Sequence, residues 1–181
     1  MVYVFLADGF EEIEALCPVD ILRRGGIEVR TVGVTGKTVI GSHGIPVVAD
    51  IEKSEAVFEN IEAVILPGGM PGTLNLENDA TVQSFVDYAA NNGILLGAIC
   101  AAPSILGHKG LLKGKKAICF PGFEKELLGA SIVDVPAVLD GDIITSAGAG
   151  AAFEFGFLLL ETITGDREKA ENLRKTMKYP L

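Results

Sequence analysis

The feature that most restricts this chain is a series of short apolar runs separated by stretches with helical patterning. Residues 2–7 and 94–99 carry no charged side chain, and residues 28–34, 61–66 and 142–146 carry at most two each. Runs of that length and apolarity belong to strands buried on both faces, which means a mostly parallel sheet covered by helices on either side. The intervening segments fit. Residues 11–24 read as a helix with Glu11, Glu12 and Glu14 in its opening turn, Arg23 and Arg24 in its last, and Gly25-Gly26 as its stop. Asn78 or Asp79 can cap a second helix running to about 91, ended by Asn92-Gly93. Two more helices, 151–164 and 167–178, finish the chain. Residues 36–50 read as a hairpin around Gly41-Ser42-His43-Gly44, and residues 116–139 as a strand-rich, less regular stretch. No repeat or linker interrupts the pattern, so one domain over 1–181 is expected.

Composition narrows the partners. A formal charge of −9 argues against nucleic acid and against anionic membranes, both of which call for basic surfaces. No apolar run approaches the ~20 residues of a spanning helix, and no basic segment precedes an apolar stretch after Met1. A cytoplasmic protein is expected. Cys17, Cys100 and Cys119 are an odd set with no short pair spacing, unlike a secreted disulfide framework. Neither His43 nor His108 lies at a zinc-like distance from a thiol, so no metal is expected.

The chemistry should gather beyond the carboxyl ends of the strands, as it does in open α/β sheets. Four such ends carry unusual residues: Asp8-Gly9, Pro67-Gly68-Gly69, Cys100 and Ser146-Ala147-Gly148. Around Cys100, the small residues Ala98 and Ala102 suit a nucleophile held on a tight strand-to-helix turn, and Pro103 suits the first turn of the next helix. A thiol at the positive end of a helix should have a lowered pKa. The competing reading is a buried structural cysteine, since free Cys is among the most buried residue types. The bare amides of Gly68 and Gly69 suit an oxyanion or anion nest, or simply a glycine turn. Spacing does not choose among Glu11, Glu12 and Glu14, and acidic residues stabilise a helix start without any further role. His43 and His108 read as solvated loop residues, and Cys17 and Cys119 as structural.

Taken together, Ala7-Asp8-Gly9-Phe10-Glu11-Glu12-Ile13-Glu14, Pro18-Val19-Asp20-Ile21-Leu22-Arg23-Arg24-Gly25-Gly26, Leu66-Pro67-Gly68-Gly69, Ala98-Ile99-Cys100-Ala101-Ala102-Pro103 and Thr145-Ser146-Ala147-Gly148 resemble the DJ-1/ThiJ/PfpI superfamily. The match is nearest to its DJ-1 and bacterial ThiJ branch and runs along essentially the whole chain. The resemblance implies a flavodoxin-like three-layer sandwich, usually a homodimer. It puts the reactive cysteine at Cys100, its glutamate partner at Glu14, and the anion-binding amides at the glycine turn (Gly68, Gly69) and at Ala101. His43 replaces a hairpin arginine that approaches the dimer partner's site in relatives. Two departures weaken a peptidase reading. Ala101 stands where PfpI-type members have histidine, and Phe120 stands where many DJ-1 members have one. The activity implied is a cofactor-free glyoxalase or deglycase acting on methylglyoxal or its adducts. The alternative is a redox sensor in which Cys100 oxidises to sulfinic acid without turnover.

Overall fold

The computed structural model describes residues 1–180. The apolar runs become strands β1 (Val2–Leu6), β2 (Val29–Gly33), β6 (Ala63–Leu66), β7 (Leu95–Ile99) and β11 (Ile143–Ser146). Two further strands complete a seven-stranded sheet: β5 (Ile51–Glu52) at one edge and β10 (Ala137–Asp140) at the other. The order is β10-β11-β7-β6-β1-β2-β5, and every pairing is parallel except β10 with β11.

Strand alternation sorts the core into two layers. Tyr3, Phe5, Val64, Leu66, Leu96 and Ala98 project to one face. There they meet α3 (Ala80–Asn92) through Val82, Phe85, Val86 and Ala89, and α4 (Pro103–His108) through Ile105 and Leu106. Val2, Val4, Leu6, Ala63, Ile65 and Ile99 project to the other face. They meet α1 (Glu12–Arg24) and α5 (Ala152–Thr164), against which α6 (Arg167–Thr176) packs. The result is a mostly parallel α/β sandwich of flavodoxin-like form. The close approach of α1 and α5 needs glycine, because a Cβ on Gly156 would lie 2.6 Å from Ile21 Cδ1 and 3.2 Å from Pro18 Cα. Arg174 ties α6 to α5 by bonding both carboxylate oxygens of Glu154 at 3.0 and 2.6 Å, with its guanidinium 4.3 Å over the Phe157 ring.

The expected helix signals are in place. Glu11 caps α1 by accepting from the Glu14 amide, and Asp79 caps α3 by accepting from Thr81 and Val82. Gly93, left-handed at φ 64°, closes α3. The hairpin is present as β3 (Thr38–Ile40) against β4 (Pro46–Val48), and it is sewn to the β1–α1 turn. Ile40 N donates to Asp8 Oδ1, Gly9 N to Ile40 O, and Ser42 N to Phe10 O.

Some of the structure departs from the sequence reading. A short helix, α2 (Gly72–Asn78), follows the glycine turn where none was expected; it has no side-chain cap and opens on glycine. Residues 116–139 are poorer in strand than expected, holding only β8 (Lys116–Ala117), β9 (Ser131–Ile132) and the start of β10. Left-handed glycines at 122 and 129, with Pro121 and Pro136, cut that stretch into turns.

His108 is not a free loop residue. It stands at the end of α4 with Nδ1 on Glu77 of α2 and Nε2 2.8 Å from Glu126, while the adjacent Lys109 pairs with Asp87 of α3. Both carboxylates raise its pKa, with the Glu77 hydrogen bond the larger cause. Only the imidazolium can donate from both nitrogens. Because the folded pKa is raised, this clamp stabilises fully below the unfolded value and is lost as pH rises through the folded one. His108→Gln is therefore expected to cost about 0.5–1 kcal/mol at pH 6, the group being exposed and screened. The cost should shrink as pH rises through the raised folded value, and paired urea titrations at pH 6 and pH 9 check it.

Candidate active site: a buried carboxyl beside the Cys100 thiol

Cys100 follows directly on β7 and is one of the few non-glycine residues with positive φ, at 64°. A left-handed residue costs roughly 1–2 kcal/mol, so the surroundings must hold it there. They do so through both of its backbone groups. Cys100 N donates to Ser146 O at 2.9 Å, and Cys100 O accepts from Phe120 N at 2.8 Å. Ala98 and Ala102 are fully buried on either side, and Pro103 opens α4. The thiol is thus displayed on a sharp elbow between β11 and the 120 segment.

Glu14 reaches the sulfur from α1. It is buried (1% exposed) beside Cys100, with its Oε2 and Cys100 Cβ lying 2.5 and 2.7 Å from where a Gly68 Cβ would stand. Gly68 N donates to its Oε2 at 3.0 Å, and the Ala149 amide also points to the carboxyl. Nothing in the spacing distinguished Glu14, but the structure does. Glu11 is committed to the helix cap, and Glu12 turns the other way, accepting from His43 N at 2.8 Å and lying 2.8 Å from His43 Nδ1. Burial tends to raise the pKa of Glu12, yet the His43 ring and amide overcome it and hold the carboxyl at about 2. The ligand atoms of Glu11, Glu12 and His43 lie within 4.8 Å of one another, and these hydrogen bonds account for the grouping. His43 itself is solvent-exposed and does not touch Cys100 within the chain.

The glycine turn divides its work. Gly69 is left-handed at φ 91°, and its amide and that of Ala101 draw the Cys100 pKa down. Gly68 gives its amide to Glu14 Oε2. It is still indispensable to the geometry: a Cβ there would lie 2.5 Å from Glu14 Oε2 and 2.7 Å from Cys100 Cβ. Asp8-Gly9 also proves to be a buttress rather than a wall of the site, bound to the hairpin and packed on Pro71 and Gly72.

The electrostatics also correct one expectation. Helix α4 has only six residues, and burial outweighs whatever field its N-terminus exerts. Burial first, then the Glu14 charge, pushes the Cys100 thiol up to about 12 against the pull of the Ala101 and Gly69 amides. Burial likewise raises Glu14 to about 7. Above pH 7 the pair therefore retains one proton between a carboxylate and a thiol in direct contact, and the two titrate as a unit. Moving that proton across the hydrogen bond creates a thiolate beside a neutral acid without changing the net charge. Among the described residues Cys17 and Cys119 have no such partner, and burial raises both thiols, to about 12 and about 11.

A groove of about 550 Å³ is walled by Phe120, Pro121, Asp134, Val135, Pro136 and the 147–151 turn; neither Cys100 nor Glu14 lines it, and it meets the pair through Phe120, bonded to the Cys100 carbonyl, and Gly148, beside the Glu14 carboxyl. Sequence reasoning found the 146–148 turn but not Val135 or Pro136, which carry no motif.

The sequence profile of the DJ-1/PfpI family matches residues 1–162. Homologs B and A of protein DJ-1 from Arabidopsis thaliana are each 38% identical over 93% and 95% of this chain. The chain spans 39% and 45% of their lengths, so it covers less than half of either. Among solved structures, a DJ-1 superfamily protein from Salmonella typhimurium, determined as a cysteine-to-alanine mutant, superposes with a TM-score of 0.94 at 37% identity. It covers 99% of this chain and 98% of its own. Toxoplasma gondii DJ-1, solved in an oxidised form, gives 0.94 at 32% identity over the same shares.

Proposed function

This chain belongs to the DJ-1/PfpI family, and we propose that it is a cofactor-independent glyoxalase or deglycase acting on methylglyoxal or its adducts, with Cys100 as nucleophile and Glu14 as proton shuttle. The observation that carries this reading is a buried carboxyl packed with a thiol on a left-handed strand-to-helix elbow, Glu14 Oε2 and Cys100 Cβ both standing against Gly68. As the sulfur adds to the aldehyde carbon, its proton passes to Glu14 and on to the new oxygen, giving a hemithioacetal. Glu14, again ionised, removes the hydrogen from that carbon and passes it to the neighbouring ketone oxygen, and the resulting enediol gains a proton at the second carbon as the hydroxyl on the first carbon gives one up through Glu14. The first carbon is thereby oxidised and the second reduced by the same two electrons, leaving a thioester. Water then releases lactate and restores the thiol, so no external oxidant or reductant is needed.

We place this activity in the cytoplasm, where three free thiols suit a reducing compartment. We also propose a homodimer formed through the α1 and hairpin face, where Ile13, Leu16 and Ile45 are exposed beside Glu12 and His43. In such a dimer His43 is offered to the partner's site.

The test is methylglyoxal consumption and lactate formation by the fully reduced protein, with Cys100→Ser in parallel. We expect turnover that falls at least about a thousandfold in the variant. Absence of turnover in the unaltered protein would sink the enzymatic reading. It would favour a second one, in which the Gly69 and Ala101 amides and the protonated Glu14 hold a Cys100 sulfinate. The oxidised form of the Toxoplasma gondii relative motivates that alternative.

A further inference from the structure

The groove beside the reactive pair has a chemical character that the aldehyde chemistry alone does not require. Its inner wall is the 147–151 turn, and that turn also touches the catalytic carboxyl. A Cβ on Gly148 would stand 3.8 Å from Glu14 Oε1, and the Ala149 amide points to the same group. At the Cys100 end stands Phe120, whose amide holds the Cys100 carbonyl and whose ring, half-exposed, would lie 3.3 Å from that same Gly148 Cβ. Beyond the ring, Pro121, Val135 and Pro136 extend the wall. Among the described residues no lysine, arginine or histidine lines the groove, and its one charged residue, Asp134, is acidic. The chain as a whole is also negative, at −9.

We propose that this groove is the subsite for the substituent carried by the reacting carbonyl compound, and that it selects an uncharged, apolar substituent of aryl or branched-alkyl size, with Phe120 as the specificity-determining residue. The inference rests on the glyoxalase reading for turnover, but its physical basis is independent of it. A carboxylate placed beyond Phe120 would lose its hydration without gaining a cation and would face Asp134. An aryl group there removes apolar surface from water against the Phe120 ring and two prolines. Methylglyoxal, with a single methyl, leaves most of the groove unused.

The experiment compares kcat/KM for phenylglyoxal, methylglyoxal and 4-carboxyphenylglyoxal with the reduced protein. Phenylglyoxal is expected to exceed methylglyoxal by about tenfold or more, and 4-carboxyphenylglyoxal to fall at least about tenfold below phenylglyoxal. Phe120→Ala should erase most of the preference, lowering kcat/KM for phenylglyoxal at least about fivefold more than for methylglyoxal. Val135→Glu, a change at an exposed wall position, should do the same if Phe120→Ala folds poorly. Equal kcat/KM for the two neutral substrates, or equal turnover of phenylglyoxal and 4-carboxyphenylglyoxal, overturns the proposal while leaving the glyoxalase reading intact. If no aldehyde is consumed, that reading fails, and the groove is tested on the thiol alone. Mapped alkylation of Cys100 should then be faster with N-phenylmaleimide than with N-ethylmaleimide, and faster with iodoacetamide than with iodoacetate, each rate normalised to glutathione. Loss of both preferences overturns the proposal.

Discussion

Glu14→Gln is expected to make the protein more stable at pH 8 while cutting methylglyoxal turnover by about a hundredfold to ten-thousandfold. Burial raises this carboxyl from its ordinary 4.5 to about 7, so between those values the folded state binds more protons than the unfolded chain. Stability must then fall as pH rises through that window. The contribution is fully present below about 4.5 and lost by about pH 7, and a shift of this size corresponds to roughly 3 kcal/mol. Glutamine keeps the acceptor for the Gly68 amide and removes the charge. We expect a gain of about 1–3 kcal/mol at pH 8 and almost none at pH 4.5. Urea midpoints at the two pH values decide the matter. Destabilisation at pH 8 would mean that the amides of Gly68 and Ala149 already make the carboxylate the preferred form.

Gly68→Ala should do the opposite and damage both properties together. The added methyl would sit 2.5 Å from Glu14 Oε2, 2.7 Å from Cys100 Cβ and 2.9 Å from Ile99 O, so either the turn or the reactive pair must move. Overpacking of this kind costs about 1–3 kcal/mol. Displacing the carboxyl from the sulfur by about 1 Å should lower turnover by at least about a hundredfold. Full activity in Gly68→Ala would show that the turn adapts and that the pair tolerates separation.

The sheet was legible because strands buried on both faces must be apolar throughout, and the ends of α3 were legible because Asp79 and Gly93 carry local signals. Helix α2 was not, because seven residues opening on Gly72 without a side-chain cap look like loop. Strand β5 escaped because two residues at an edge have no period to read. Within the site, the Cys100 elbow could be inferred from its small neighbours, whereas the choice of Glu14 over Glu11 and Glu12 came only through family resemblance. The role of the Gly68 amide, and the raised thiol pKa, are tertiary facts. They depend on α1 and the 146–149 turn closing over the elbow, which no local pattern encodes.

The sheet order has a consequence for when the site exists at all. Glu14 follows β1, Gly68 and Gly69 follow β6, Cys100 follows β7 and the Ser146 carbonyl ends β11, four neighbouring strands that are far apart along the chain. Parallel pairing requires a long crossover between partners, so each of these joins closes a large loop and forms slowly. No nascent or clipped fragment lacking residues 143–146 can hold the Cys100 amide in place. Before the last of those crossovers closes, Cys100 is an ordinary exposed thiol that any electrophile can consume. The change in its alkylation rate during refolding is therefore a clock for the arrival of β11, readable by pulsed alkylation.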